Sequence, residues 1–186
     1  VIYYIAPKVW ASRPGRAKRL AAVTDHVAVI FPFEVEILEA AGATVDYVGN
    51  PLLDRPDDVV DAATFHETWG LESDRPILAI LPGSRKQEIR RHLTQFVEAG
   101  SRLRRQRPGL QVVLAQAEAI QLDLPNNSDV TTVRDGRALL THARAAIVKA
   151  GTSTLEAALA GTPFVVAYRT HPWTYWLARH LVRVDH

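Results

Sequence analysis

The stretch Ile77–Ile89, with the sequence ILAILPGSRKQEI, decides the fold class of this 186-residue chain. Its first five residues, Ile77–Leu81, are all aliphatic, which is typical of a strand buried on both faces. Gly83 then interrupts the run, and apolar residues return at helical spacing from Ile89 onward. A buried strand that leads through a short glycine turn into an amphipathic helix is the repeating unit of a parallel α/β sheet.

Strand-length apolar runs and helical segments alternate on both sides of this unit. Before it, the pattern predicts strands at 1–5, 26–31 and 44–48 and helices at 15–23, 32–41 and 59–68. After it, the pattern predicts a helix at 87–105, strands at 110–115, 129–133, 145–148 and 164–168, and helices at 136–142, 154–160 and 172–182. This order predicts an α/β fold with a mostly parallel sheet. The prolines and acidic residues between Pro56 and Asp74 indicate a domain boundary there.

Composition excludes several classes of function. Lys and Arg total 22 against 20 Asp and Glu, a balance that argues against a nucleic-acid partner. The chain has no cysteine, and His66-Glu67 lacks the second histidine of a zinc-binding helix, so we predict no metal site and no cofactor. The apolar run at the start is too short to span a membrane, and any membrane contact is expected to be peripheral. Because the chain has no methionine and opens inside this run, we expect a longer protein.

The turn after the first quoted strand has the composition of an anion site. Gly83 allows the backbone to approach a ligand closely, and Ser84 is predicted to cap the helix with Gln87 as its capping-box partner. The free N–H groups of the first helical turn attract negative charge, and Arg85 adds a cation that binds phosphate with two hydrogen bonds. A simple strand-to-helix turn with a solvated arginine explains the same residues, since the motif is neither a Walker A loop nor GxGxxG.

A second turn, KAGTSTLE at 149–156, also lies between a predicted strand and a predicted helix. Gly151 forms the turn, and three hydroxyl residues follow it: Thr152, Ser153 and Thr154. One interpretation is a capping box made by Ser153 and Glu156. In the other, the hydroxyl and N–H groups face a diphosphate and Glu156 accepts hydrogen bonds from ribose hydroxyls. Because ligands of open α/β sheets bind at the carboxyl ends of strands, we expect both turns at one site.

Two further features are compatible with an anionic membrane surface. The predicted helix after Ile89 carries six arginines, at 90, 91, 102, 104, 105 and 107, and the segment 168–179 combines four aromatic residues with arginine and histidine. Basic residues are attracted to anionic lipid head groups, and aromatic residues insert into the lipid interface. A solvated helix face and a packing helix explain the same two patterns.

Six segments resemble motifs of the lipid-A-disaccharide synthase family, in the family's order and across nearly the whole chain. LPGSRKQEI at 81–89 matches the signature LPGSRxxEI. The other five are YYIAPKVWA at 3–11, FPFE at 31–34, VGNPL at 48–52, KAGTSTLE at 149–156 and YRTHPWTYWL at 168–177. Three positions depart from the family pattern: Ser12 replaces a tryptophan, Asn50 replaces a histidine, and the 149–156 loop is one residue shorter.

The resemblance implies a GT-B fold of two Rossmann-like domains. On that basis 1–60 is the end of the acceptor-side domain and 61–186 is a truncated UDP-sugar-binding domain. The implied reaction moves 2,3-diacylglucosamine from its UDP donor onto 2,3-diacylglucosamine 1-phosphate, in the cytoplasm or at the inner membrane surface. It needs no metal, so helix N-termini and cations must stabilise the departing diphosphate. We therefore assign Arg85 a catalytic role and substrate binding to Gly83, Ser84, Gly151, Thr152, Ser153, Thr154 and Glu156.

The resemblance also implies that the general base lies before Val1, so we expect the 186-residue chain alone to be inactive. Two other functions fit the same residues. One is another GT-B enzyme, such as a UDP-sugar epimerase or a different lipid glycosyltransferase. The other is a UDP-sugar-binding module without catalytic activity.

Overall fold

A computed structural model describes residues 1–9, 15–55, 58–117, 120, 122, 124 and 129–169. These residues form two compact units, which divide between residues 55 and 58. The predicted helix at 172–182 lies outside the described residues. The assignment of one unit to the acceptor and the other to the donor remains a prediction.

The first unit is a three-stranded parallel sheet with order β1-β2-β3. Its elements are β1 (Ile2–Tyr4), α1 (Gly15–Val23), β2 (His26–Val29), α2 (Phe33–Glu39) and β3 (Val45–Tyr47). The central strand β2 is apolar and buried at Val27, Ala28 and Val29, because α1 and α2 cover it with Leu20 and Leu38. Helix α2 ends before Gly42, whose φ of +89° suits a residue without a Cβ.

The second unit is a five-stranded sheet with order β6-β5-β4-β7-β8, and all of its pairings are parallel. Its strands are β4 (Ile77–Leu81), β5 (Gln111–Ala115), β6 (Thr131–Val133), β7 (Ala145–Lys149) and β8 (Phe164–Ala167). Its helices are α3 (Ala62–Trp69), α4 (Lys86–Gln106), α5 (Gly136–His142) and α6 (Thr152–Leu159). The α/β fold with parallel sheets is confirmed.

Strand β4 is buried along its whole length because helices pack on both faces of the sheet. Ile77, Ala79 and Leu81 point into one core, which contains Phe65 of α3, Leu139 of α5 and Ala157 of α6. Ile80 points into the other, against the buried stripe of α4: Ile89, Leu93, Phe96 and Val97. The aliphatic run at 77–81 therefore has the two-sided burial that its composition predicts.

Helix α4 packs close against the sheet at Gly100. A Cβ at this position would lie 2.8 Å from Val112 Cγ1 and 3.1 Å from Ile80 Cδ1. Glycine is therefore required by the distance between helix and sheet rather than by backbone conformation. Leu103, which its helical spacing places on the same apolar stripe, is 38% exposed.

Candidate functional site

The loops that follow β4, β5, β6 and β7 meet at the carboxyl edge of the larger sheet. A shallow pocket of about 150 Å³ lies at this edge. Its lining comes from the ends of β4 and β5, from the turns after β4, β5 and β6, and from α5 and α6: Leu81, Pro82, Gly83, Ser84, Ala115, Gln116, Ala117, Arg134, Gly136, Ser153 and Glu156. This is the edge at which open parallel sheets bind their ligands.

The turn between β4 and α4 depends on glycine. Gly83 has a φ of +114°, a conformation that side chains strongly disfavour. A Cβ at Gly83 would also lie 2.7 Å from Oε2 of Glu88, so the carboxylate occupies the space that a side chain would need. The next two residues, Ser84 and Arg85, are exposed. The turn therefore presents its backbone to the pocket and keeps Glu88 beneath it.

The predicted capping box of Ser84 and Gln87 is wrong. Helix α4 begins at Lys86, and its N-cap is Arg85, whose side chain makes no capping hydrogen bond. Glu88 is consequently the third helical residue, the position from which a carboxylate usually returns to the cap. Here its carboxylate is held by Lys149 and Arg85 instead. The predicted box fails because the helix begins one residue later than the spacing of Ser84 and Gln87 requires.

The predicted capping box of Ser153 and Glu156 is also wrong. Helix α6 begins at Thr152 with Gly151 as its N-cap, and glycine has no side chain to cap the first turn. The hydroxyl of Thr154 donates to the carbonyl oxygen of Gly151 at 2.7 Å. Ser153 and Glu156 face the pocket instead of capping the helix.

An ion pair joins the residues that carry the two turns. Lys149 Nζ, at the end of β7, lies 3.0 Å from Glu88 Oε1, and the two side chains are only 12% and 18% exposed. Arg85 also contacts Glu88 Oε1, at 3.1 Å, but its side chain is 81% exposed. Burial of the Glu88 carboxyl acts to raise its pKa, whereas Lys149 and then Arg85 lower it, and the net result is a lowered pKa. Glu88 is therefore ionised in the neutral pH range.

Four of the eight predicted site residues line the pocket together: Gly83, Ser84, Ser153 and Glu156. The other four, Arg85, Gly151, Thr152 and Thr154, belong to the same two turns but are not part of the lining. The functional roles of all eight remain predictions, because geometry alone does not assign them.

The loops after β5 and β6 were not predicted as part of the site. Gln116 follows β5 and Arg134 follows β6, and both line the pocket. A signal was available, because each residue comes directly after a predicted strand, at 110–115 and at 129–133, as Gly83 nearly does. The exposed Arg134 adds a second cation near a site predicted to bind an anion.

In the part of the chain that the structure describes, no group of His, Asp or Glu is arranged to hold a metal ion. No helix among the same residues is long and apolar enough to cross a membrane.

The arginines of α4 are partly neutralised. Arg104 pairs with Asp129 at 2.7 Å, and Arg102 lies 3.5 Å from Glu98. Arg90, Arg91, Arg105 and Arg107 are exposed. The aromatic residues at 173–176, the other predicted membrane contact, lie outside the described residues.

Comparison with known proteins identifies a family. The family model described as lipid-A-disaccharide synthetase matches residues 1–186. The chain is 40% identical over 197 residues to the lipid-A-disaccharide synthase of Trichlorobacter lovleyi, covering 100% of this chain and 50% of that protein. It is 41% identical over 191 residues to the protein of the same name from Myxococcus xanthus, covering 99% of this chain and 50% of that protein. The chain therefore spans about half the length of these relatives.

Among solved structures, the chain is similar to the ADP-heptose LPS heptosyltransferase II of E. coli. The TM-score is 0.48 at 13% sequence identity, with 82% of this chain and 66% of the other covered.

Proposed function

The chain belongs to the lipid-A-disaccharide synthetase family, and on this premise we propose that it forms part of a glycosyltransferase of lipid A biosynthesis. The proposed reaction transfers 2,3-diacylglucosamine from UDP to the 6-hydroxyl of 2,3-diacylglucosamine 1-phosphate. UDP is the leaving group. The second unit is the UDP-sugar-binding part, and the first unit belongs to the acceptor-side domain.

One observation carries the proposal for the second unit: the turn before α4 and the first residues of α6 line one pocket on the carboxyl edge of the sheet. Both turns precede helices, whose first N–H groups and dipoles favour negative charge. Ser84 and Ser153 add hydroxyl donors, and Arg134 adds a cation. This set suits a diphosphate, which carries negative charge on two neighbouring groups.

The proposed roles divide the residues of the two turns between the diphosphate, the ribose and the departing charge. The backbone at Gly83, Gly151, Thr152 and Thr154 and the hydroxyls of Ser84 and Ser153 bind the diphosphate. Glu156 accepts hydrogen bonds from the ribose. Arg85 is the proposed catalytic residue, because its exposed guanidinium is able to move from Glu88 to the departing diphosphate as charge develops there.

The same proposal places the complete protein in the cytoplasm, with the anionic surface of the inner membrane as a partner. Both proposed substrates carry acyl chains and therefore reside in or near a membrane. Exposed arginines at the end of α4, such as Arg105 and the C-cap residue Arg107, are suited to anionic lipid head groups.

The test is an assay of the complete protein with the two purified lipid substrates. The expected result is a disaccharide 1-phosphate and UDP in equal amounts, identified by mass spectrometry and thin-layer chromatography. Formation of an epimerised sugar, or of a product with another acceptor, would contradict this reaction and support a different GT-B enzyme. Binding of UDP-diacylglucosamine without any turnover would support a non-catalytic binding module.

A further inference from the structure

The Lys149–Glu88 ion pair lies directly beneath the two glycine turns of the proposed diphosphate site. Glu88 Oε2 lies 2.7 Å from the position of a Cβ on Gly83, and Lys149 Nζ lies 3.2 Å from the position of a Cβ on Gly151. Lys149 Nζ also lies 3.0 Å from Oε1, the other oxygen of the Glu88 carboxylate. A continuous line of contacts therefore runs from the turn before α4, through Glu88 and Lys149, to the turn before α6.

We propose that Glu88 and Lys149 are positioning residues, whose ion pair sets the distance between the two turns for a nucleotide diphosphate that binds both. This inference rests on the proposed function, because it assumes that the ligand of the two turns is UDP or a UDP-sugar. It assigns neither residue a direct contact with the nucleotide.

The pair differs from the surface ion pairs of the same unit. Glu98 and Arg102, also on α4, are 60% and 70% exposed and lie 3.5 Å apart. Exposed pairs of that kind contribute little to stability or geometry. Lys149 and Glu88 are 12% and 18% exposed, so removing one partner leaves a poorly solvated charge that must find another position.

The positioning role and a direct electrostatic role predict opposite effects for one substitution. Glu88 carries negative charge close to a site for an anion. If only the net charge mattered, Glu88→Gln would leave UDP binding unchanged or make it stronger. If the pair sets the distance between the turns, Glu88→Gln weakens UDP binding although it removes a repulsive charge.

The experiment measures binding of UDP and of uridine to the complete protein by calorimetry, with ligand-observed NMR for the weaker ligand. Its variants are Glu88→Gln, Lys149→Met and the double variant, with Glu98→Gln as the matched control on the same helix. We expect each single variant to weaken UDP binding by about 10- to 100-fold, the range for one hydrogen bond to a charged group. The double variant should weaken binding little further, because both changes remove one interaction.

Uridine binding should be unchanged in all variants, since uridine lacks the diphosphate that binds both turns. Lys149→Arg preserves the charge and should recover most of the UDP affinity. Melting curves establish that each variant is folded, and if Glu88→Gln does not fold, the comparison of Lys149→Arg with Lys149→Met takes its place.

The outcomes separate this inference from the proposed function. If the unaltered protein binds no UDP, the proposed function fails and this inference fails with it. If it binds UDP and the folded Glu88→Gln variant binds as well or better, the inference alone is overturned. Loss of uridine and UDP binding to the same extent would also overturn it, because that result indicates general structural damage.

Discussion

The buried imidazole of His92 accepts a hydrogen bond through Nε2 from the backbone N–H of Arg169, 77 residues away in sequence, at 2.8 Å. Because a backbone N–H only donates, the ring proton resides on Nδ1, which lies 2.7 Å from the carbonyl oxygen of Glu88. The imidazole also packs 5.5 Å from the ring of Tyr168. His92 thus attaches the segment after β8 to the first turns of α4, next to the proposed site.

Replacing His92 by alanine should destabilise the protein by about 3 kcal/mol, because it leaves a cavity and two unpaired backbone groups. Urea denaturation measures this change. The matched control is His66→Ala, since His66 also lies i+4 from its carbonyl partner, Ala62, but is only half-buried. The control substitution should lower the free energy of unfolding by less than about 1 kcal/mol. If the two variants lost the same free energy of unfolding, the contact between His92 and Arg169 would not stabilise the fold.

Gly100→Ala should destabilise the protein, although alanine is the better helix former by about 1 kcal/mol. The new methyl group would lie 2.8 Å from Val112 Cγ1, and this β-branched side chain is buried against the sheet. Overpacking of this kind costs about 1–3 kcal/mol and should outweigh the helical preference. Gly109→Ala is the control, because nothing lies within 4 Å of its Cβ position. A higher melting temperature for Gly100→Ala would contradict the close packing of α4.

The lowered pKa of Glu88 predicts how stability depends on pH. A carboxyl whose folded pKa lies below its ordinary value of 4.5 stabilises the fold above that pH, and the contribution is lost as pH falls through the folded pKa. As pH falls into the acidic range, the free energy of unfolding should therefore decrease less for Glu88→Gln than for the unaltered protein. In Lys149→Met, the Glu88 pKa should rise, because burial remains while its main partner is gone. Carboxyl NMR titration measures this pKa, and identical titrations in both proteins would refute the assigned cause.

Arg85→Ala in the complete enzyme should lower kcat by about 10²–10³, or about 2.7–4 kcal/mol, as for loss of one preorganised donor to a developing anion. Arg85→Lys should recover part of the rate, since an ammonium group lacks the planar fork of a guanidinium. Arg90→Ala, on the same helix and also exposed, is the control and should retain kcat. An unchanged kcat in folded Arg85→Ala would remove the catalytic role and leave Arg85 as a surface partner of Glu88.

The exposed arginines of α4 predict salt-sensitive binding to anionic vesicles. Replacing Arg105 and Arg107 together by glutamine should weaken binding at low salt by about 10- to 30-fold, at about 1 kcal/mol for each charge. High salt should release the unaltered protein from the same vesicles. Sedimentation with anionic and with neutral vesicles measures both effects. Equal binding to the two kinds of vesicle would exclude an electrostatic contribution.

The order of the elements and the fold class could be predicted from local sequence patterns. Ile77–Leu81 is the clearest example, because five successive aliphatic residues leave no face for solvent and require helices on both sides of the sheet. The sequence also located the two glycine turns, since a glycine between a strand and a helix is a local feature. Membership of the family follows from the linear order of the motifs.

Only the tertiary structure decided which side chains meet at the site. Lys149 and Glu88 pair across 61 residues because the sheet order places β7 beside β4, and no local pattern contains that order. Arg134 reaches the pocket for the same reason, through β5 and β6. The capping boxes failed as predictions because α4 and α6 begin at other residues than the local spacing implied, with Arg85 and Gly151 as their N-caps. Local spacing fixes periodicity, whereas long-range pairing depends on the packing free energy of the whole sheet.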